Sequence, residues 1–294
     1  MKPVIELQHV TKEFKGKRAV DDVTLTIPEG SVVALLGPNG AGKTTTVAMT
    51  LGLRKPTSGT IRLLGGNPQD RAVKDRIGAM LQEVHSIDGL KVGETIDLFR
   101  HYYSKPLPLE RLLKISGLVE EKGKLGTALS GGQKRRLGFA LALAGDPSVL
   151  FLDEPTVGMD VSSRQLFWET VKAMAGQGRT IILTTHYLEE ADAIANRVVV
   201  INKGKLVADG TPEEIKATTN SKILSFTAGL GLTEERLRSL PGIMDTEWKG
   251  RRVKLYSSDT DQLIAAIVRQ ELDATDIEIQ SVGLEEAFQA LVRG

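Results

Sequence analysis

The stretch VVALLGPNGAGKTTTVAMTLGL, residues 32–53, decides the architecture. Its first five residues are an unbroken β-branched and aliphatic run, the pattern of a strand buried on both faces. Its end, TTTVAMTLGL, reads as a helix. Between them lies GPNGAGKT, the spacing of a phosphate-binding loop in the strand-before, helix-after setting that such a loop requires. Gly37, Gly40 and Gly42 allow backbone N–H groups to turn inward around phosphate oxygens, with Pro38, Asn39 and Ala41 completing the turn. The helix start adds a positive dipole end. Lys43 is placed to reach the β- and γ-phosphates, Thr44 to hold Mg²⁺ and Thr45 to touch the α-phosphate. A glycine-rich turn without a ligand is the bland alternative, and the full spacing and context weigh against it. The motif speaks for nucleotide binding and says little about its purpose.

A second apolar run, VLFLDEP at 149–155, ends in two carboxylates. In an open α/β sheet the carboxyl edge of a strand is where ligands sit. There Asp153 is expected to bind Mg²⁺ through water, and Glu154 to polarise an attacking water. A third motif, LSGGQKRRL at 129–137, places Ser130 as a helix N-cap followed by Gly131 and Gly132, which leave the first helical N–H groups sterically open. Alone it is weak, since Ser-Gly-Gly is a common loop. Its position shortly ahead of the Asp-Glu strand gives it weight.

Outward from these motifs, TIILTT (180–185) and RVVVIN (197–202) repeat the buried-strand pattern. VIELQHVTKEF and RAVDDVTLTIPEG alternate with period two and read as an antiparallel edge region. Residues 1–215 are therefore expected to form an α/β nucleotide-binding domain, a mostly parallel sheet with an antiparallel β flank. Strand signals vanish from 83 to 128, where DLFRHYYSKP and LERLLKISGLVEE look helical and Pro106 and Pro108 break the run. A helical insertion over about 83–140 is expected. After the polar KATTNS (216–221), four strand candidates and three amphipathic helix candidates follow in the order β-α-β-β-α-β-α. That order suits a small α+β ferredoxin-like domain over 221–294. Lys249-Gly250 between two of these strands suggests a hairpin.

Composition sets outer limits. The chain has 294 residues, 41% hydrophobic and 26% charged, a formal charge of +1 and no cysteine. Two globular domains fit that length. Disulfides, thiolate catalysis and cysteine-based metal sites are excluded. The near-zero charge and 4% aromatic content give no support for nucleic-acid binding. No apolar run approaches the ~18–20 residues that span a bilayer, and the N-terminus lacks a signal-peptide pattern. Any membrane role is expected to come through a partner.

Taken together and in order, these motifs resemble the ABC (ATP-binding cassette) ATPases over residues 4–215. LSGGQ (129–133) is similar to the family signature, VGMD (157–160) to its D-loop with Asp160 retained, and Met159 stands where leucine is commoner. The resemblance implies that Phe14 stacks on adenine and that Gln82 senses Mg²⁺ and the permease. It further implies that His186 contacts the γ-phosphate. ATP and Mg²⁺ are the implied cofactors, with Thr44, Gln82 and Asp153 toward the metal and Glu154, His186 and Gln82 in the reaction. In the family two cassettes face each other head to tail, so Ser130, Gly131, Gly132 and Gln133 of one chain close over the nucleotide of the other. The implied partners are a second cassette, as a homodimer, and a membrane permease that holds the chain at the cytoplasmic face of the cell membrane. THYLEEAD (185–192) and the C-terminal GLEEAF resemble the drug- and antibiotic-exporter branch, and imply export of a drug, antibiotic or lipid-like compound. The alternatives are a soluble ABC ATPase acting on ribosomes or DNA, and an importer cassette. One cassette, no heptad array and no cysteine weigh against the first, and the switch region matches the second more poorly.

Overall fold

Strands β1 (Pro3–Phe14) and β2 (Lys17–Pro28) form an antiparallel hairpin whose two-residue turn holds Lys15 at φ 47° and Gly16 at φ 80°. Positive φ at both turn positions matches the natural twist of paired strands. The computed structural model describes residues 2–82, 87–219 and 222–293. Residues 83–86, where the helical insertion is expected to begin, lie outside them, as do Asn220 and Ser221 of the expected polar connection.

The hairpin leads into β3 (Val32–Leu36), every residue of which is buried, and then into α1 (Lys43–Thr50). Strand β4 (Ser58–Leu63) returns to pair with β1, making a three-stranded antiparallel sheet in the order β2-β1-β4. A short α2 (Arg71–Lys74) and β5 (Ile77–Met80) precede the helical segment. That segment holds α3 (Val92–Arg100), α4 (Leu109–Ser116) and α5 (Gly131–Ala142). Helix α4 starts directly after Pro108, whose fixed φ suits a helix entrance and not its interior.

The remainder of the first unit alternates regularly: β6 (Val149–Asp153), α6 (Val161–Ala175), β7 (Thr180–Thr184), α7 (Leu188–Ile194), β8 (Arg197–Asn202) and β9 (Lys205–Gly210). These strands and β3 build a six-stranded sheet, β5-β6-β7-β3-β8-β9, parallel except for the antiparallel edge strand β9. Strands β6, β7 and β3, distant in sequence, are therefore neighbours. Their register is level, with Leu152 opposite Leu183 and Leu183 opposite Ala34. The three carboxyl ends consequently open onto one edge. Beneath it, Leu7 and Leu25 of the small sheet pack with Val33, Leu35, Phe151 and Ile182 of the large one and with Val47 of α1. Each such side chain, fully buried, contributes about 1.5–3 kcal/mol.

Contacts divide the chain between Thr211 and Pro212. The second unit opens with α8 (Pro212–Ala217) and continues β10 (Lys222–Ala228), α9 (Glu234–Arg238), β11 (Ile243–Lys249), β12 (Arg252–Ser257), α10 (Thr260–Arg269), β13 (Ala274–Ser281) and α11 (Leu284–Arg293). Its four-stranded antiparallel sheet runs β11-β12-β10-β13 around a core of Leu224, Phe226, Val253, Leu255 and Leu263. Lys249 pairs with Arg252 across the Gly250-Arg251 turn, and α8 packs against α11.

Candidate active site

The loop leaving β3 is shaped by its glycines. A Cβ on Gly37 would stand 2.2 Å from the Ile201 carbonyl oxygen, and one on Gly42 would stand 2.4 Å from that of Ala19. No side chain fits there. Gly42, at φ 110°, is the N-cap of α1 and leaves the first helical N–H groups directed out of the helix. Lys43 folds back, donating from Nζ to the carbonyl oxygens of Gly37 at 2.5 Å and Pro38 at 3.2 Å. Burial lowers its pKa, and the charges of Glu154 and Asp153 oppose that shift.

At the end of β6 both acids are buried. Thr184, opposite Asp153 in the next strand, donates its hydroxyl to Asp153 Oδ1. The backbone N–H of Glu154 bonds the carbonyl oxygen of Thr184 at 3.1 Å and its hydroxyl oxygen at 3.2 Å. Glu154 adopts φ 50°, a left-handed backbone that a non-glycine residue holds only under constraint from its surroundings. That twist sets its carboxylate against His186, whose Nε2 lies 3.2 Å from Glu154 Oε1. Burial raises the Glu154 pKa and neighbouring Asp153 adds to it, against the opposing influence of His186 and Lys43. Its second oxygen, Oε2, is buried with no hydrogen-bond partner.

One cleft of about 390 Å³ gathers Asn39 to Thr45 of the loop and helix start with Phe14, Gln82, Asp153, Glu154 and His186. Phe14 stands at the tip of the β1–β2 hairpin, half-exposed, with Lys12 Nζ 5.2 Å and the Arg54 guanidinium 5.4 Å from its ring centre. Lys17, Arg18 and Ala19, just past the hairpin turn, also line the cleft, and no sequence pattern marked them. Thr184 is a further residue missed in the sequence; its only signal was its place at the end of a buried strand.

The signature segment is built differently. Ser130 caps α5 by accepting from Gln133 N at 3.3 Å, while Gln133 Oε1 accepts from Ser130 N at 2.9 Å, a reciprocal capping box. Asp160 caps α6, its carboxylate accepting from the backbone N–H and hydroxyl of Ser163, and those hydrogen bonds lower its pKa. Ser130, Gly131, Gly132, Gln133 and Asp160 do not line the cleft of their own chain.

Residues 20–157 match the ABC transporter family. Over 98% of its length the chain is 35% identical to Nod factor export ATP-binding protein I of Paraburkholderia xenovorans, covering 96% of that protein. The chain belongs to the ABC transporter family. It is likewise 33% identical, over 98% of its own length and 92% of the other, to the daunorubicin/doxorubicin resistance ATP-binding protein DrrA of Streptomyces peucetius. Among solved structures, the ATP-binding cassette MJ0796, dimeric and bound to ADP and Pi after hydrolysis, aligns with a TM-score of 0.66 and 26% identity, covering 70% of this chain and 98% of that one. Another ABC transporter ATP-binding subunit aligns at TM-score 0.68 and 24% identity over 74% and 93% of the two chains, which extends the likeness of fold. The ABC chain described here is an ATP-binding, ATP-hydrolysing subunit, and subunits of its class dimerise and work with membrane permeases. No helix among its described residues is long and apolar enough to cross a membrane.

The donor set fits the cofactors of that class. Thr44, Gln82 and Asp153 bring hard oxygen ligands to one cleft, the chemistry Mg²⁺ selects. Beside them, Glu154 Oε2 is a buried acceptor with no hydrogen-bond partner in the protein.

Proposed function

We propose that this chain is the ATPase motor of an exporter, driving a separate permease that moves a drug, antibiotic or lipid-like compound. The observation that carries this reading is the alignment of nearly the whole chain with two proteins whose names state export or drug resistance. Such an alignment takes in the second unit as well as the nucleotide cleft, so the likeness exceeds what any ABC cassette would share.

Within the cleft, Phe14 stacks on adenine, the Gly37–Gly42 backbone and Lys43 hold the phosphates, and Thr45 touches the α-phosphate. Thr44, Gln82 and Asp153 would hold Mg²⁺, which when bound neutralises phosphate charge. Glu154 accepts a proton from the attacking water, its raised pKa making it a stronger base. His186 orients Glu154 and faces the γ-phosphate. One P-loop leaves a flank of the γ-phosphate bare, and Ser130, Gly131, Gly132 and Gln133 of a second copy cover it, with Asp160 at the same junction. The β-α-β-β-α-β order of the second unit supports a ferredoxin-like accessory domain. The permease holds the assembly at the cytoplasmic face of the membrane.

Two measurements test this. Glu154→Gln is expected to bind ATP without turnover and to elute as a dimer in size-exclusion chromatography; hydrolysis near the wild-type rate removes Glu154 from the role of base. The tagged chain, purified from gently solubilised membranes of its host, is expected to bring a polytopic membrane protein with it. Recovery of ribosomal or DNA-repair components in its place overturns the exporter reading and leaves the ATPase chemistry standing.

A further inference from the structure

Where the β6–β7 ladder ends, a side chain continues it. Asp153 opposite Thr184 is the last strand pair, and the Glu154 N–H to Thr184 bonds are the last main-chain tie between the two segments. Beyond them stands Glu190 of α7, whose carboxylate is nearly buried, with 10% of the side chain exposed. The Thr156 hydroxyl is shared between its oxygens at 3.1 and 3.0 Å. The Thr185 hydroxyl donates to Oε2 at 3.2 Å and accepts from the Tyr187 N–H at 2.9 Å. Arg164 of α6 brings Nε to 3.5 Å from Oε1, and its guanidinium lies 4.5 Å from the centre of the Tyr187 ring.

Thr156 follows Glu154 by two residues, and Thr185 immediately precedes His186. Glu190 therefore grips both segments that carry the 3.2 Å Glu154–His186 contact, and through Arg164 it reaches the helix that Asp160 caps. An acidic residue in the first turn of a helix ordinarily serves the helix dipole from the solvent side. Glu190 instead turns inward, where both threonine hydroxyls are buried and need an acceptor.

We propose that Glu190 is a positioning residue for hydrolysis: it locks the Glu154 segment to the His186 segment and ties their alignment to the Val157–Asp160 loop. This rests on the catalytic reading of Glu154 and His186. Glu190 touches neither nucleotide nor attacking water. It acts by holding the geometry of the two groups that do, and misplacement of such groups by about 1 Å lowers rates by up to ~100-fold.

The test is ATP turnover and nucleotide-binding stoichiometry on the full chain. Glu190→Gln keeps the shape and one acceptor oxygen but loses the charge that Arg164 faces and presents an amide to a hydroxyl. It is expected to bind one nucleotide per chain at wild-type affinity, with KM unchanged and kcat lowered roughly 10- to 100-fold. Thr156→Val is expected to follow it, while Thr156→Ser, which keeps the hydroxyl, holds the wild-type rate. The threonine pair decides the matter if Glu190→Gln does not fold. An unchanged kcat in Glu190→Gln and Thr156→Val overturns the proposal, as does a loss of turnover that only tracks the fraction of chains able to bind nucleotide. Absence of turnover in the wild type itself is a separate result, striking at the catalytic reading beneath.

Discussion

His186 Nε2 and Glu154 Oε1 lie 3.2 Å apart, joining the ends of two strands that the chain sequence separates by a helix. Only one oxygen of Glu154 is engaged; the other is buried without a partner. The contact thus fixes one carboxylate oxygen while the other keeps its acceptor capacity.

That arrangement gives the native state a pH dependence. The Glu154 carboxyl is held above its ordinary 4.5, so from that pH up to its folded value the native chain binds more protons than the unfolded one. Stability therefore falls as pH rises through this window. Glu154→Gln removes the titrating group. Without nucleotide it is expected to be more stable than wild type at pH 7 and to lose that advantage as the pH falls below the ordinary carboxyl value. Urea denaturation across that pH range measures the difference.

Lys43 is the buried cation beside Asp153 and Glu154. Lys43→Ala leaves those carboxylates facing incoming phosphate charge with nothing between. The loss of a buried charge partner is expected to cost about 2–5 kcal/mol of nucleotide affinity, at least a ~30-fold rise in Kd. Titration with a fluorescent ATP analogue reads it directly.

The glycines of the loop are expected to differ in their tolerance of a methyl group. Gly42→Ala places a Cβ 2.4 Å from the Ala19 carbonyl oxygen at φ 110°, so the hairpin or the helix start must move. Loss of ATP hydrolysis and a lower Tm are expected. Gly40→Ala meets no atom within 4 Å and bears only the strain of φ 77°, about 1–2 kcal/mol. Thermal melts and turnover of the two variants give the comparison.

Thr184→Val tests the link between β7 and the carboxylate at the end of β6. The substitution keeps the shape and deletes the hydroxyl that bonds Asp153, leaving a buried carboxylate oxygen short of a donor at a cost of about 1–3 kcal/mol. Turnover is expected to saturate only at higher Mg²⁺ concentration than in wild type, because Asp153 is no longer held in orientation. An unchanged Mg²⁺ dependence would mean that Asp153 is oriented by other contacts.

The buried strands Val32–Leu36, Val149–Asp153, Thr180–Thr184 and Arg197–Asn202 were legible because continuous apolar runs suit only a sheet covered on both faces. Strands β4, β5 and β9 were not. Ser58–Leu63 and Lys205–Gly210 carry mixed polar sequences at sheet edges, and Ile77–Met80 is too short to show a period. The glycine-rich loop was legible for a similar reason: its conformation is set within a few consecutive residues, and at Gly37 and Gly42 no side chain fits.

Glu190 shows the other side of the same rule. In the sequence it is one acid of a Glu-Glu pair at a helix start, and its neighbour Glu189 has the same local signal. What separates them is which one meets Thr156 and Thr185, and that depends on how α7 lies against two strand ends. The sequence by itself determined the four buried strands and the glycine-rich loop between β3 and α1, because local periodicity and glycine placement act over a few neighbouring residues. Only the tertiary structure decided that β6, β7 and β3 stand side by side, that Glu154 turns a single oxygen to His186, and that Glu190 holds their two segments together. Those relations are set by sheet register and packing between residues far apart in the chain, which no local pattern encodes.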